Sequence, residues 1–401
     1  MSTYTPTVKY GEGPYNDGPY YDVVTQLQET VAVDNSMRPV PIPNPFGMNL
    51  KEDISIGDLV LNKIDANNVV WVCTNIEGWW VHPDPEIPDV TRGWGDGSYD
   101  TSGRWAARQI TVEGVFMPPD SSYVPIARQA LVDATALVRQ GAWLKTRENP
   151  TRAAFVRLSG RPNIETITAR GKTEFSIGLR AADPIKYSWN DDDLEGYDVA
   201  TVPCANSSTG ETGEATLTNL GNTEVSMFLE ITGPILGPAI IYNSANDELL
   251  TIVEPLRDVA TEAVSTKALS NNVATLTFTT THDILAGDYI TVSGVDSTFD
   301  GEHIVSSVPS STSVSYAILS SNVSSTASGG TVVRDVDIME IDTYTKEVAV
   351  NGEKIGARVK VDTLTDWITL AAGDNDILFE DEGDANSPAS LTIYYRSGWI
   401  A

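Results

Sequence analysis

Three histidines, two cysteines and 55 acidic residues are the raw material for chemistry in this chain of 401 residues. A metal site needs two or more ligands that converge. His82 stands among prolines, far in sequence from the other two histidines. The one grouping with ligand chemistry is His282-Asp283 with His303. Cys73 and Cys204 lie far apart and give neither a disulfide framework nor a thiolate metal cluster. In GDGSYD the spacing of Asp96, Ser98 and Asp100 resembles the start of a calcium loop. It lacks the distal bidentate glutamate and the rest of the ligand set, so a turn is expected. Gly93, Gly95 and Gly97 lead into that turn and not into the helix that a phosphate cradle requires. There is no G-x-S-x-G elbow and no HExxH. The acidic group Asp374, Asp376, Glu380, Asp381, Glu382 and Asp384 is read as a solvated loop, with a bound cation as the alternative. Acidic residues are plentiful enough to form a glycosidase-like pair by chance, so their presence decides nothing. No catalytic, cofactor-binding or metal-ligating residue is assigned, and the chain is not expected to be an enzyme or to carry a cofactor.

Composition narrows the class further. The hydrophobic share of 41% is that of an ordinary globular chain, and the length allows two or three domains with their own cores. No apolar run approaches the roughly 20 residues of a membrane helix, and the first residues carry no signal-peptide pattern. With two isolated thiols, synthesis in a reducing cytoplasm is expected. The net charge of −29 is unevenly placed: 18 basic and 22 acidic residues up to Asn190, then 8 basic and 33 acidic beyond it. So acidic a surface repels a phosphate backbone, which disfavours a nucleic-acid binder. Solubility or adaptation to salt is the simplest reading of the excess.

The elements that must hold the chain together read mostly as strands. Residues 1–20, rich in Gly, Pro, Tyr and Asn, predict an extended arm, and residues 39–46, with four prolines, a loop. Strands are expected at 21–33, 58–64, 69–73, 109–116, 143–147, 153–158, 164–169 and 174–180. The last has Phe175, Ile177 and Leu179 on one face and Glu174, Ser176 and Arg180 on the other, a period of two. One helix is expected at 122–141, with a stripe of Ile126, Ala130, Ala134, Leu137 and Val138, a Ser or Asp N-cap, and Gly141 as its stop. Residues 76–105 hold four tryptophans among prolines and glycines that forbid a regular element. Such a segment packs against its own domain or makes a subunit contact, and both readings stay open. After Pro184, Tyr187 and Trp189 the acidic run 191–193 marks a boundary.

The second half reads as a β-sandwich interrupted by an insert. Val225, Met227 and Leu229 alternate with polar neighbours up to the break at Gly233-Pro234. Strand 347–350 ends at Asn351-Gly352, a two-residue hairpin signal. Residues 377–379 run into an acidic loop before a last strand at 389–395. Between about 261 and 333, Thr, Ser and Val dominate and helix signals vanish, as expected for a small barrel or immunoglobulin-like module set into a surface loop. The expected fold is thus all-β. An N-terminal β-sandwich with one α-helix spans 1–190. A C-terminal jelly-roll or lectin-like β-sandwich spans 191–260 and 335–401, and the inserted small β module spans 261–334.

The ordered set of motifs resembles the phage distal tail protein (Dit, or siphovirus-type tail component) family. It comprises Gly103-Arg104, the 110–116 strand, one helix, the closing AADPIKY, NLGNTEVSMFLEI at 219–231, IMEIDTYTKEVAVNG at 338–352, WITLAAGDNDILF at 367–379 and the final YYRSGW. That resemblance implies a structural protein of the virion tail tip, assembled in the host cytoplasm. It would form a homohexameric ring that continues the tail tube, with the tube protein above and the tail hub or tail-associated lysin protein below. DNA would pass through the ring without specific recognition, and no membrane would be bound. Inserts in this family are associated with gripping the host surface, often its glycans. Tyr289, Phe299 and Tyr316 are therefore weighed as sugar-stacking rings against plain core packing, the reading adopted. The rivals are a freestanding carbohydrate-binding adhesin, which the β modules fit, and a glycoside hydrolase or esterase.

Overall fold

The structure, a computed structural model, describes residues 54–400 apart from 95, 97, 100, 101, 167–170, 194, 254, 355–358 and 362–366. All of the described residues belong to one compact unit. The expected arm at 1–20, strand at 21–33 and loop at 39–46 lie outside the described residues, as does the end of the expected 164–169 strand. Among the described residues no helix is long and apolar enough to cross a membrane.

The all-β expectation is met, with three separate hydrophobic cores. In the first, Thr173–Ala181 pairs along its whole length with Arg108–Met117, which pairs in turn with Val70–Glu77. A second run joins Leu59–Leu61, Ile54–Ile56, Ala142–Thr146 and Arg152–Leu158. The two runs meet only where Arg157 and Leu158 pair with Arg180 and Leu179. The chain thereby folds over as a sandwich and not as one flat sheet. Phe175, Ile177 and Leu179 point inward as their alternation requires, and each burial contributes roughly 1.5–3 kcal/mol as an upper figure.

The helix is shorter than expected, Val124–Val138, and of the expected stripe only Val138 is buried. Ala127, Leu131, Thr135 and Val138 face the core, while Ile126 and Leu137 of the expected stripe lie exposed and Ala134 is half-buried. This helix carries apolar residues on two adjacent stripes, so periodicity alone does not choose between them. Asp120 caps the preceding 3-10 turn at Ser121–Tyr123, accepting from the Ser122 amide. Gly141, at φ +120°, ends the element as expected.

The second core lies between two antiparallel sheets. One runs Asp198–Pro203, Ser390–Tyr395, Phe228–Thr232, Ile338–Asp342, Glu347–Val350, Glu353–Lys354. The other runs Glu214–Asn219, Gly373–Asp381, Ala239–Asn243, Glu248–Ile252, Val359–Val361. Val225, Met227, Leu229 and Ile231 all point into the space between them. The Asn351-Gly352 turn has both residues at positive φ, as the hairpin signal demands.

The third core is the inside of a closed barrel. Val273–Phe278, Ser313–Ala317, Gly301–Ser310, Tyr289–Ser293, Thr331–Arg334 and Ala260–Ser270 pair in that order, and the last pairs back to the first. Closure needs strands that serve two neighbours. Ala260–Ser270 shifts register between Val264 and Thr266, and Gly301–Ser310 shifts at Val305/Ser307; such irregularities turn the corners of small barrels. Of the two architectures expected for the insert, the barrel is the one formed. At its foot Arg257 forks onto Asp288 and Asp337, and buried Arg334 reaches Asp283 and Asp337. This ionic cluster ties the barrel to the sheet that begins at Ile338.

Candidate functional site

The 76–105 segment differs from its expectation. It is not irregular throughout: Pro85–Glu86 pairs with Arg104–Trp105, and Val90–Thr91 with Ser98–Tyr99. The two nested rungs make it an antiparallel arm standing off the first sandwich. Gly and Pro kept each rung to two residues without preventing the pairing.

The arm is rooted by buried cations. Val70–Glu77 stops at Gly78, whose φ of +81° and near contact with the Gln109 carbonyl (2.0 Å from where a Cβ would sit) admit no side chain. Trp79 follows, fully buried, its indole N–H donating to Glu148 Oε1 at 2.7 Å. Arg108 is 1% exposed and donates to the carbonyls of Gly78 (3.0 Å), Val81 (2.5 Å), Pro184 (3.0 Å) and Ile400 (2.6 Å). Lys186, equally buried, donates to the Trp79 carbonyl at 3.1 Å with its ammonium 5.1 Å from that indole ring. Burial pushes the Lys186 ammonium down to about 8, and the nearby Arg108 and Arg152 add to this against the pull of Glu148. The same burial lowers Arg108. Two cations out of water are tolerated because carbonyl oxygens and a ring face satisfy them.

Beyond the root the aromatic residues turn outward. Trp94 is 95% exposed, Trp80 55% and Trp105 43%, with Ile87, Val90 and Tyr99 exposed beside them. The segment divides by residue between buried and exposed tryptophans. Trp79 packs, and the other three tryptophans present apolar surface of the kind that anchors protein contacts. Arg104 pairs with Glu86 across the inner rung at 2.8 Å, and the Arg92 guanidinium lies 5.8 Å from the Tyr99 ring centroid.

The other candidates are scattered. His82 Nδ1 lies 3.0 Å from the Pro83 carbonyl, with its ring against Trp105. His282 accepts from the Ile284 amide and sits edge-on to Phe278. His303 stacks on Tyr316 with centroids 4.2 Å apart and bonds the Phe299 carbonyl. The two barrel histidines thus serve different neighbours. Phe299 and Tyr316 are fully buried in the barrel, and only Tyr289 of the three weighed rings is exposed. Asp96 and Ser98 lie on the arm's outer turn and rung, while Asp100, Gly95 and Gly97 lie outside the described residues. Asp374 and Asp376 accept from Thr218 and Thr216 across the sheet, and Asp381 receives the amides of Leu236, Gly237 and Gly383. Among the described residues no three His, Cys, Asp or Glu side chains gather as a metal ion would require. Burial pushes the Cys73 thiol up to about 11 and raises that of Cys204, away from thiolate chemistry.

Sequence reasoning missed Arg108 and Lys186. A signal existed for the first: Arg108 shares the inward parity of Ile110 and Val112, so an arginine there had to be buried and bonded.

The described residues thus form a nearly all-β antiparallel scaffold that carries an exposed aromatic arm. Residues 304–399 match the family model described as siphovirus-type tail component, C-terminal domain. Over those residues the chain is similar to the C-terminal domain of the family that its motifs resemble. Two solved structures are similar to it over 86% of its length. One is a crystal structure of the SPP1 Dit (gp 19.1) protein, described as a paradigm of the hub adsorption apparatus in phages infecting Gram-positive bacteria (12% identity, 98% of that chain, TM-score 0.41). The other is the phage P2 baseplate in its activated conformation with Ca (9% identity, 97% of that chain, TM-score 0.31). Both superpositions are loose. No curated protein sequence matches the chain.

Proposed function

We propose that this protein is a distal tail protein that assembles as a homohexameric ring at the tail tip, joining the tail tube to the tail hub or lysin protein. The exposed aromatic arm on its rigid root carries this reading. Rings held in water at that density are costly unless a partner covers them. A root clamped by two buried cations presents them in one orientation, which lowers the ordering cost of association. Heterologous contacts, arm of one copy to sandwich of the next, close into a ring when the rotation permits, and a ring leaves a lumen for DNA.

In this reading residues 1–190 form the ring and line the bore. The outer sandwich (191–260 and 335–401) and the inserted barrel (261–334) stand outside, where the barrel is available for host-surface attachment. Assembly would take place in the host cytoplasm. The charge division follows, with the near-neutral half inward and the acidic half outward. Negative-stain images of purified protein test the reading by six-fold rings. A monomeric particle with glycan affinity would favour the adhesin instead, and an outer surface no more negative than the bore would remove the charge argument.

A further inference from the structure

Where the first sandwich meets the second, a cavity of about 640 Å³ opens to solvent. Its walls are largely aromatic and apolar, with Trp143, Tyr187, Met227 and Phe228 inside and the exposed rings of Phe155 and Tyr344 at the mouth. Three arginines line it, Arg157, Arg180 and Arg396, against two carboxylates, Asp183 and Asp342.

The charges in this cavity are not matched to one another. Asp183 accepts from the Tyr187 hydroxyl at 2.5 Å and the Ile185 amide at 3.0 Å. Asp342 accepts from the Tyr344 and Thr345 amides at 2.9 and 3.1 Å. Both acids are satisfied by the fold. Arg157 and Arg180 are direct cross-strand partners and both are exposed. Neither has a hydrogen-bond, ion-pair or ring partner among the described residues. Like charges placed opposite each other on a sheet oppose folding. Arg396 lies deeper, held by the carbonyls of Glu195 and Gly196, with its guanidinium 3.8 Å from the Tyr197 ring and 4.7 Å from Trp143. The carboxylates of Glu195 and Asp193 act on it through space, so its charge is already partly answered. In a chain of net charge −29, the Arg157–Arg180 pair, side by side on an apolar cavity and without an ion-pair partner among the described residues, offers a site for an anion.

We propose that this cleft binds an acidic polypeptide segment from another protein of the assembly. A large apolar side chain would enter between Phe155 and Tyr344, and a neighbouring carboxylate would lie on the Arg157–Arg180 pair. Guanidinium groups take carboxylates bidentately, which fixes register as well as adding affinity. The size suits a few residues of extended chain. A phosphate-rich polymer is disfavoured by the repulsion of the acidic half, which grows with every added charge; a segment with one or two carboxylates meets little of it beyond the Debye length. A neutral glycan would leave the arginines unused.

The test uses the full chain and a twelve-residue synthetic peptide alternating Leu and Phe with Asp and Glu. The controls are the same peptide with Asn and Gln in place of the acids, and trigalacturonate as an acidic sugar. Calorimetry reports affinity, and the part of the emission change that Trp143→Phe removes reports occupancy of the cleft. The acidic peptide should bind at least tenfold more tightly than its amide form. R157Q/R180Q should lose that tenfold preference, while R161Q, an exposed arginine outside the cleft, should keep it. Because the paired arginines have no partner to lose, the double variant should melt no lower than the parent. Should it melt lower, Tyr344→Ser supplies the second variant, removing one lip and weakening both peptides alike. Equal affinity for both peptides, an unchanged preference in R157Q/R180Q, or tighter binding of trigalacturonate would each overturn the proposal. Six-fold rings are not needed for any of these readouts, so failure here is separable from failure of ring assembly.

Discussion

The arm and the barrel use the same kinds of residue to opposite ends. In the barrel, Phe299 and Tyr316 are sealed inside a sheet that closes on itself, and the Tyr316 hydroxyl is bonded to the Phe299 carbonyl at 3.1 Å. In the arm, Trp80, Trp94 and Trp105 are exposed on short strands and the turns between them, above a root held by Arg108 and Lys186. The six strands of the barrel pair on both sides and seal their own core, and a seventh, Val323–Ala327, lies against Ala260–Ser270 alone. The arm has almost no core, so its value lies in what covers it. Ring types therefore do not say which segment is left open to solvent; enclosure does.

Mutations should separate the two regions sharply. Phe299→Ala empties a fully enclosed site and should destabilise the barrel by about 3–5 kcal/mol in chemical denaturation, leaving assembly intact in native buffer. Arg108→Met leaves several root carbonyls without donors and should cost about 2–4 kcal/mol. Assembly should be lost along with it because the arm no longer has one orientation. Tyr316→Phe removes one buried hydrogen bond and should cost about 1 kcal/mol. Trp94→Ser should change the monomer's stability by less than about 0.5 kcal/mol yet weaken assembly by an order of magnitude or more. An unchanged assembly state in Trp94→Ser would erase the contrast between the regions.

The arm's root should also show a pH dependence. Lys186 titrates at about 8 in the folded chain against 10.5 for a free side chain. Below pH 8 the ammonium is charged in both states and its burial penalty is constant. Between about 8 and 10.5 the folded chain has released the proton and the unfolded chain has kept it, so this group makes stability rise with pH. Lys186→Met should lack that rise, and thermal melts of the two proteins across the window provide the comparison.

How much of this was legible in the sequence depends on which faces are wet. Thr173–Ala181 and Arg108–Met117 each bury one face, so alternation read them nearly to the residue. The Asn351-Gly352 turn was legible because only residues tolerant of positive φ fit it. The helix face was not, since Ile126–Leu137 and Ala127–Val138 are both apolar stripes and only the neighbouring sheet decides between them. The arm's pairing was hidden because two-residue rungs leave no period to detect. The Arg157–Arg180 pairing was invisible for another reason: register between strands that are twenty residues apart is set by tertiary packing.

The central claim is that the arm is a subunit contact and the barrel is not. Light scattering coupled to size exclusion, run on the parent protein and on Trp94→Ser at one concentration, tests it directly. The account expects about six times the 43.3 kDa chain mass for the parent and a shift toward the single-chain mass for the variant. A parent that elutes as one chain, with its arm tryptophans emitting as they do in water, would contradict it.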